Sequence, residues 1–318
     1  MTVIVYKSSD ASAPALTGTA GSLAALLYAC LVTGYGAKSA AGWAREFTGT
    51  NKAVFRAAAG NRLRLRIDDT GSNEAKAVGY ETMSDVDTGS NLFPTAVQLS
   101  GGIFIRKSNT ADSTNRPWMV VANDRIFYLF IDSGTSGTDW TVAPAAAGLS
   151  GCFCFGEFSS YKAGGDSYNT VIFGAILTST SVGRFADLTQ QGAYTATTGH
   201  WLARPVTAVA GAVTCAKSAV LGQNIGTTMG VGTNWGPYPD PVTGGLLISP
   251  IAICEASTSG WVVRGILPGL WAPMHALPGN HADTFSGSGV TSGKTFVLAN
   301  CATTTTLGRC VVETSDTW

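Results

Sequence analysis

The chain has 318 residues, with twenty basic and twenty acidic side chains and no formal net charge. Without a basic block, nothing in the charge pattern selects nucleic acid or an anionic membrane as a partner. Charged residues make up 13% of the sequence, against roughly 25% in ordinary soluble domains, a composition suited to a protein whose faces are covered by neighbours. A β-sandwich with a neutral Ser/Thr surface is the plainer alternative.

The length exceeds what one core usually occupies, so two β-rich halves are expected, residues 1–180 and 181–318, divided near 178–190 where the strand pattern lapses. The opening residues 3–6 read as a short strand. After a turn-rich stretch, Ser22 is placed to cap a helix over 22–33, with Leu23, Leu26, Leu27, Cys30 and Leu31 forming one apolar stripe and Gly34 ending it. That stripe packs on the chain's own sheet or docks on a neighbouring subunit, and Leu23, Leu27 and Leu31 are therefore candidate interface residues.

From Lys52 onward the period is two. Leu63, Leu65 and Ile67 alternate with Arg62, Arg64 and Arg66, and Asp68, Asp69, Thr70 and Gly71 make a turn before a strand at 75–81, which predicts a hairpin with one wet, cationic face. Further strands are expected at 102–107, 118–121, 125–131, 152–155 and 170–177, and in the second half at 197–204, 212–216, 245–251, 260–266, 295–298 and 308–313. The prolines of 236–241 exclude a central strand and predict an external loop. The fold class is thus mainly β, with antiparallel, sandwich-like sheets and one short N-terminal helix. No apolar run is long enough for a membrane span. Residues 23–32 also make a poor secretory leader behind Lys7 and Asp10, so folding in a cytoplasm is expected.

Seven cysteines at irregular spacing, with no C-x-x-C pair, argue against a disulfide framework or a zinc knuckle. On a strand, Cys152 and Cys154 fall on one face, and Phe153 and Phe155 on the other. His275, His281 and Asp283 are the best metal candidates, at loop spacing, with a turn held by hydrogen bonds as the plainer alternative. Asp85, Asp87 and Asn91 resemble alternate calcium ligands but lack the closing Glu, which favours an Asx-rich turn.

No nucleophile elbow, phosphate loop or H-E-x-x-H helix occurs, and the glycines at 230–236 are misspaced for a dinucleotide site. Glycan cleavage needs two paired carboxylates. Glu74, Asp85, Glu157, Asp166, Asp240, Glu255 and Glu313 are available, but their sequence positions pair none of them. Trp140, Trp201, Trp235, Tyr238 and Trp271 are aromatic candidates for stacking on sugars, with core or interface packing as the plainer reading, and Trp235, Tyr238 and Trp271 are taken as interface candidates. No cofactor and no catalytic residue is predicted, and the expectation is a non-enzyme.

The wording Arg264-Gly265-Ile266-Leu267-Pro268-Gly269-Leu270-Trp271-Ala272-Pro273-Met274-His275, then Asp283-Thr284-Phe285-Ser286-Gly287, then Val312-Glu313-Thr314-Ser315-Asp316-Thr317-Trp318 closes the chain. It is preceded in order by Trp43 to Arg56, Gly79-Tyr80-Glu81, Arg116-Pro117-Trp118 and Phe155-Gly156-Glu157-Phe158. Together these resemble structural proteins of tailed-bacteriophage virions. The resemblance implies a tail or baseplate subunit, assembled in the host cytoplasm from other virion proteins and copies of itself. A head-decoration or connector protein, or a tail component that binds host surface glycan, are the alternatives. It implies no catalytic residues.

Overall fold

The computed structural model describes residues 2–138, 150–175, 198–218, 244–257, 260–273, 279–303, 306–315 and 318. Along the chain run β1 (Ile4–Lys7), α1 (Ser22–Tyr28) with a π-helical turn at Ala29–Thr33, β2 (Ala44–Gly49), β3 (Lys52–Arg56), β4 (Arg64–Asp68), β5 (Glu74–Met83), β6 (Gly89–Phe93) and β7 (Ile103–Arg106). Next come β8 (Trp118–Ala122), β9 (Ile126–Asp132), β10 (Ser150–Glu157), β11 (Ser159–Ser160), β12 (Thr170–Ala175), β13 (Thr198–Leu202) and β14 (Val213–Ser218). The last are β15 (Ile248–Ser257), β16 (Gly260–Pro273), β17 (Thr284–Ser286), a 3-10 turn at Gly289–Thr291, β18 (Thr295–Thr303) and β19 (Thr306–Glu313). The fold is mainly β, all pairings are antiparallel, and α1 is the one α-helix among the described residues.

Three layers result, and β8 and β9 lie in the middle one. Every residue of both strands is buried, because alternate side chains enter two different cores. Trp118, Val120, Phe127, Leu129 and Ile131 face the first core, whereas Met119, Val121, Ile126, Tyr128 and Phe130 face the second. In β10 the rings of Phe153 and Phe155 join the first core while Cys152 and Cys154 join the second. A sheet covered on both faces has no polar side, so its strands read as continuous apolar runs.

The first core is closed by β3, β4, β5, β7 and α1, the second by β15, β16, β18 and β19. The middle sheet runs β1, β8, β9, β10, β12, β13, and β14 leads from β13 to β15. The expected boundary at 178–190 lies outside the described residues. On either side of it β12 pairs with β13, and the second core takes residues from both halves.

Leu23, Leu26, Leu27, Cys30 and Leu31 are fully buried in the first core, so the apolar stripe packs within the chain. Ser22 does not cap the helix. Its hydroxyl donates to the Thr17 carbonyl, and Gly21 takes the N-cap position with no side-chain bond. The cap comes from Asp69, whose Oδ2 accepts from the backbone N–H groups of Leu23 and Ala24 at 2.7 and 3.1 Å. Lys107 pairs with the other Asp69 oxygen, and both charged side chains are completely buried.

The cationic face expected on β4 is instead neutralised. Arg56 and Arg64 share Glu46, and Arg66 and Lys52 share Asp68 and Asp87. Beside these pairs Val54, Val78, Tyr80 and Met83 form a small outer apolar cluster.

Candidate functional site

A cleft of about 700 Å³ opens where the β3–β4 connection, β5, the β8–β9 turn and the β11–β12 loop meet. Its polar lining includes Asn61, Glu81, Arg125, Glu157, Asp166 and Tyr168. Three pieces of the wording quoted above converge here. Glu81 ends Gly79-Tyr80-Glu81, Glu157 lies in Phe155-Gly156-Glu157-Phe158, and Arg264 holds Asp166 from behind.

Each element positions its residue by local chemistry. The Asn123 side-chain oxygen accepts from the backbone N–H groups of Arg125 and Ile126, which fixes the turn before β9. Gly156 has φ 145 and lies against the backbone of Arg125 and Ile126 where a Cβ would overlap, so β10 can close on that turn only with glycine there. Asp166 Oδ1 accepts from the Tyr168 N–H and shapes the loop before β12.

The carboxylates differ in how far they are committed. Glu81 receives Arg204 bidentately, Nε and Nη2 each at 2.5 Å, and Asn91 adds a third hydrogen bond. Arg264 donates one nitrogen to Asp166 at 2.6 Å and the other to Glu255, with all three side chains buried. Glu255 accepts in addition from the Val206 N–H. Glu157 accepts from the Asn61 N–H on one oxygen, and its other oxygen stands 3.9 Å from Arg125 Nη1. The Arg204 guanidinium lies 3.8 Å over the Tyr168 ring and holds it in place.

Electrostatics separate two of the lining acids. Burial pushes the Glu157 carboxyl above its ordinary range, against the opposing Asn61 hydrogen bond and the Arg125 charge. Burial acts on Asp166 in the same sense, but the hydrogen bonds from Arg264, Ser160 and Tyr168 outweigh it and hold that carboxyl low. With both oxygens occupied, Asp166 is a fixed structural anion; Glu157 keeps one oxygen with spare accepting capacity.

The other sequence candidates do not gather at the cleft. Asp283 accepts from the Asn280 N–H in a tight turn, and His281 is buried with its ring edge-on to Phe130. His275 lies outside the described residues, as do Trp235, Tyr238, Asp240 and the 236–241 loop. No group of three His, Cys, Asp or Glu among the described residues is placed to hold a metal. Asp85 accepts from the N–H groups of Asp87 and Thr88, an Asx turn, and Asp87 is spent on Lys52 and Arg66. Trp271 is half-buried against a small cluster with Leu246, Phe296 and Leu298. Glu74 stands opposite Arg106 on β7, and Glu313 pairs with Lys294. Cys30, Cys152, Cys154 and Cys310 are buried thiols.

Arg204, Asn61 and Tyr168 were not singled out by the sequence, and Glu81 and Arg264 entered only as parts of longer strings. Asn61, Arg204 and Arg264 meet Glu157, Glu81 and Asp166 across 96, 123 and 98 residues, and Tyr168 meets Arg204 from a separate loop, so no local pattern marks them. The chain matches no protein-family model and no curated protein. Among the described residues no helix is long and apolar enough to cross a membrane.

Proposed function

We propose that the chain is a structural subunit of a tailed-phage virion, a tail or baseplate component made in the bacterial host cytoplasm and built into the particle through protein–protein contacts. The ordered wording running from Trp43 to Trp318 supports the family. The observation that carries the assembly role is the surface. Charged residues are 13% of the chain and many of them are consumed in ion pairs within it, while Val97 and Val290 stand 99% and 100% exposed, Val209 65% and Val262 48%. Exposed apolar side chains on a low-charge body, Val97, Val209 and Val290 between strands and Val262 on β16, suit contacts that neighbours cover.

The test uses Val97→Asp and Val290→Asp, which touch no core. The expected result is a normal melt with loss of self-association on gel filtration or of incorporation into particles; wild-type assembly by both variants would count against those contacts. Electron-microscopic localisation on intact virions separates a tail position from a head-decoration or connector position.

A further inference from the structure

The cleft contains a donor and an acceptor that do not meet. Arg125 Nη1 and Glu157 Oε2 stand 3.9 Å apart, beyond hydrogen-bonding length. Arg125 is half in solvent and Glu157 is nearly buried, with side-chain exposures of 53% and 11%. A hydroxyl placed between them closes the gap, because its oxygen accepts from the guanidinium while its proton goes to the carboxylate. Few other ligand groups do both at one atom.

The remaining lining narrows the ligand class. Glu81 and Asp166 are already held by Arg204 and Arg264, so a cationic ligand finds little free negative charge. The two remaining lining charges, Arg125 and Glu157, offset each other, so an anionic ligand finds no net positive charge either. Thr82 and Ser167 supply hydroxyls at the rim, and Tyr168, held under Arg204, supplies a rigid apolar surface. The volume falls in the range of about 300–1,000 Å³ common for small-molecule sites.

We infer that this cleft is a binding site for a neutral polyhydroxylated ligand, an oligosaccharide, with Arg125 and Glu157 bridged by one sugar hydroxyl. It is independent of the assembly role, since it is read on the purified chain.

The test titrates that chain with maltohexaose, cellohexaose, chitohexaose and mannohexaose, and with a galacturonate hexamer as the anionic arm, by calorimetry and saturation-transfer NMR. At least one neutral oligomer is expected to bind with Kd below about 1 mM, and Arg125→Ala and Glu157→Gln are each expected to weaken it about tenfold while remaining folded by circular dichroism. Three outcomes overturn the inference: no neutral oligomer binds, only the galacturonate binds, or binding ignores both substitutions. If Glu157→Gln disturbs the fold, Arg125→Ala decides alone, because its side chain is half in solvent.

Discussion

Trp318 lies directly over Gly269. A Cβ on Gly269 would overlap the indole, and the glycine sits at φ 66, a conformation that L side chains rarely adopt. The same indole packs against Tyr128, with ring centroids 5.6 Å apart, and its Nε1 donates to the Glu313 carbonyl. Two distant stretches of the closing wording are thus one packing unit against the middle sheet.

Gly269→Ala is therefore expected to lose about 2–4 kcal/mol, combining left-handed backbone strain with displacement of Trp318. Trp318→Ala should lose about 2 kcal/mol, as its ring is only partly buried. The double variant should fall well short of the sum, because the clash disappears with the ring. Denaturant melts of the four proteins measure this, and strict additivity would refute the shared contact.

Asp69→Ala is expected to cost about 3–5 kcal/mol, since it removes the cap of α1 and leaves the Lys107 ammonium buried without a counter-charge. Ser22→Ala should cost less than about 0.5 kcal/mol. Lys107→Met in the Asp69→Ala background should restore part of the loss by removing the orphaned charge. A large effect at Ser22 with a small one at Asp69, measured by chemical denaturation, would reverse the capping assignment.

This pair shows what a linear reading of the chain misses. Ser22 stands where a capping residue belongs, and Asp69 stands in a turn between two strands; only the tertiary fold brings Asp69 to a helix start 46 residues away. The stripe from Leu23 to Leu31, the alternation of Leu65 and Ile67, and the split of Cys152 and Cys154 from Phe153 and Phe155 were legible because each depends on local periodicity. The unbroken apolar run of β9 marks a strand, yet it does not say that sheets cover both faces. The cleft was not legible, because Arg204 meets Glu81 across 123 residues and Arg264 meets Asp166 across 98. The sequence supplies the carboxylates without their partners.

Glu157→Gln tests the pH behaviour of the cleft. A carboxyl raised by burial resists ionisation in the folded state, so its contribution is favourable below the ordinary carboxylate pKa and is lost as pH rises through the raised value. The glutamine variant keeps an oxygen to accept from Asn61 but carries no charge. Relative to wild type it should gain stability as pH rises from 4 through that window (about the unfolded pKa upward) and match wild type in more acidic buffer. Thermal melts across this range check the sign, and a growing deficit toward neutral pH would contradict it.

Arg264→Met removes the guanidinium that joins Asp166 to Glu255. At neutral pH both carboxylates then remain buried without their shared partner, and the expected loss is about 3–5 kcal/mol. Arg264→Lys should recover less than half, because a single ammonium does not reproduce the planar fork that serves two acids at once. Asp166 is held below its ordinary range in the folded state, so its stabilising contribution is present above the unfolded pKa and disappears as pH falls through the lowered one. The gap between wild type and Arg264→Met should therefore narrow toward acid pH, as wild type loses that contribution and Asp166 in the variant takes up a proton. Urea melts at several pH values would show the narrowing; a gap that stays constant would mean that Arg264 stabilises the fold through packing on Phe158, over which it lies at 5.7 Å, and not through its two anions.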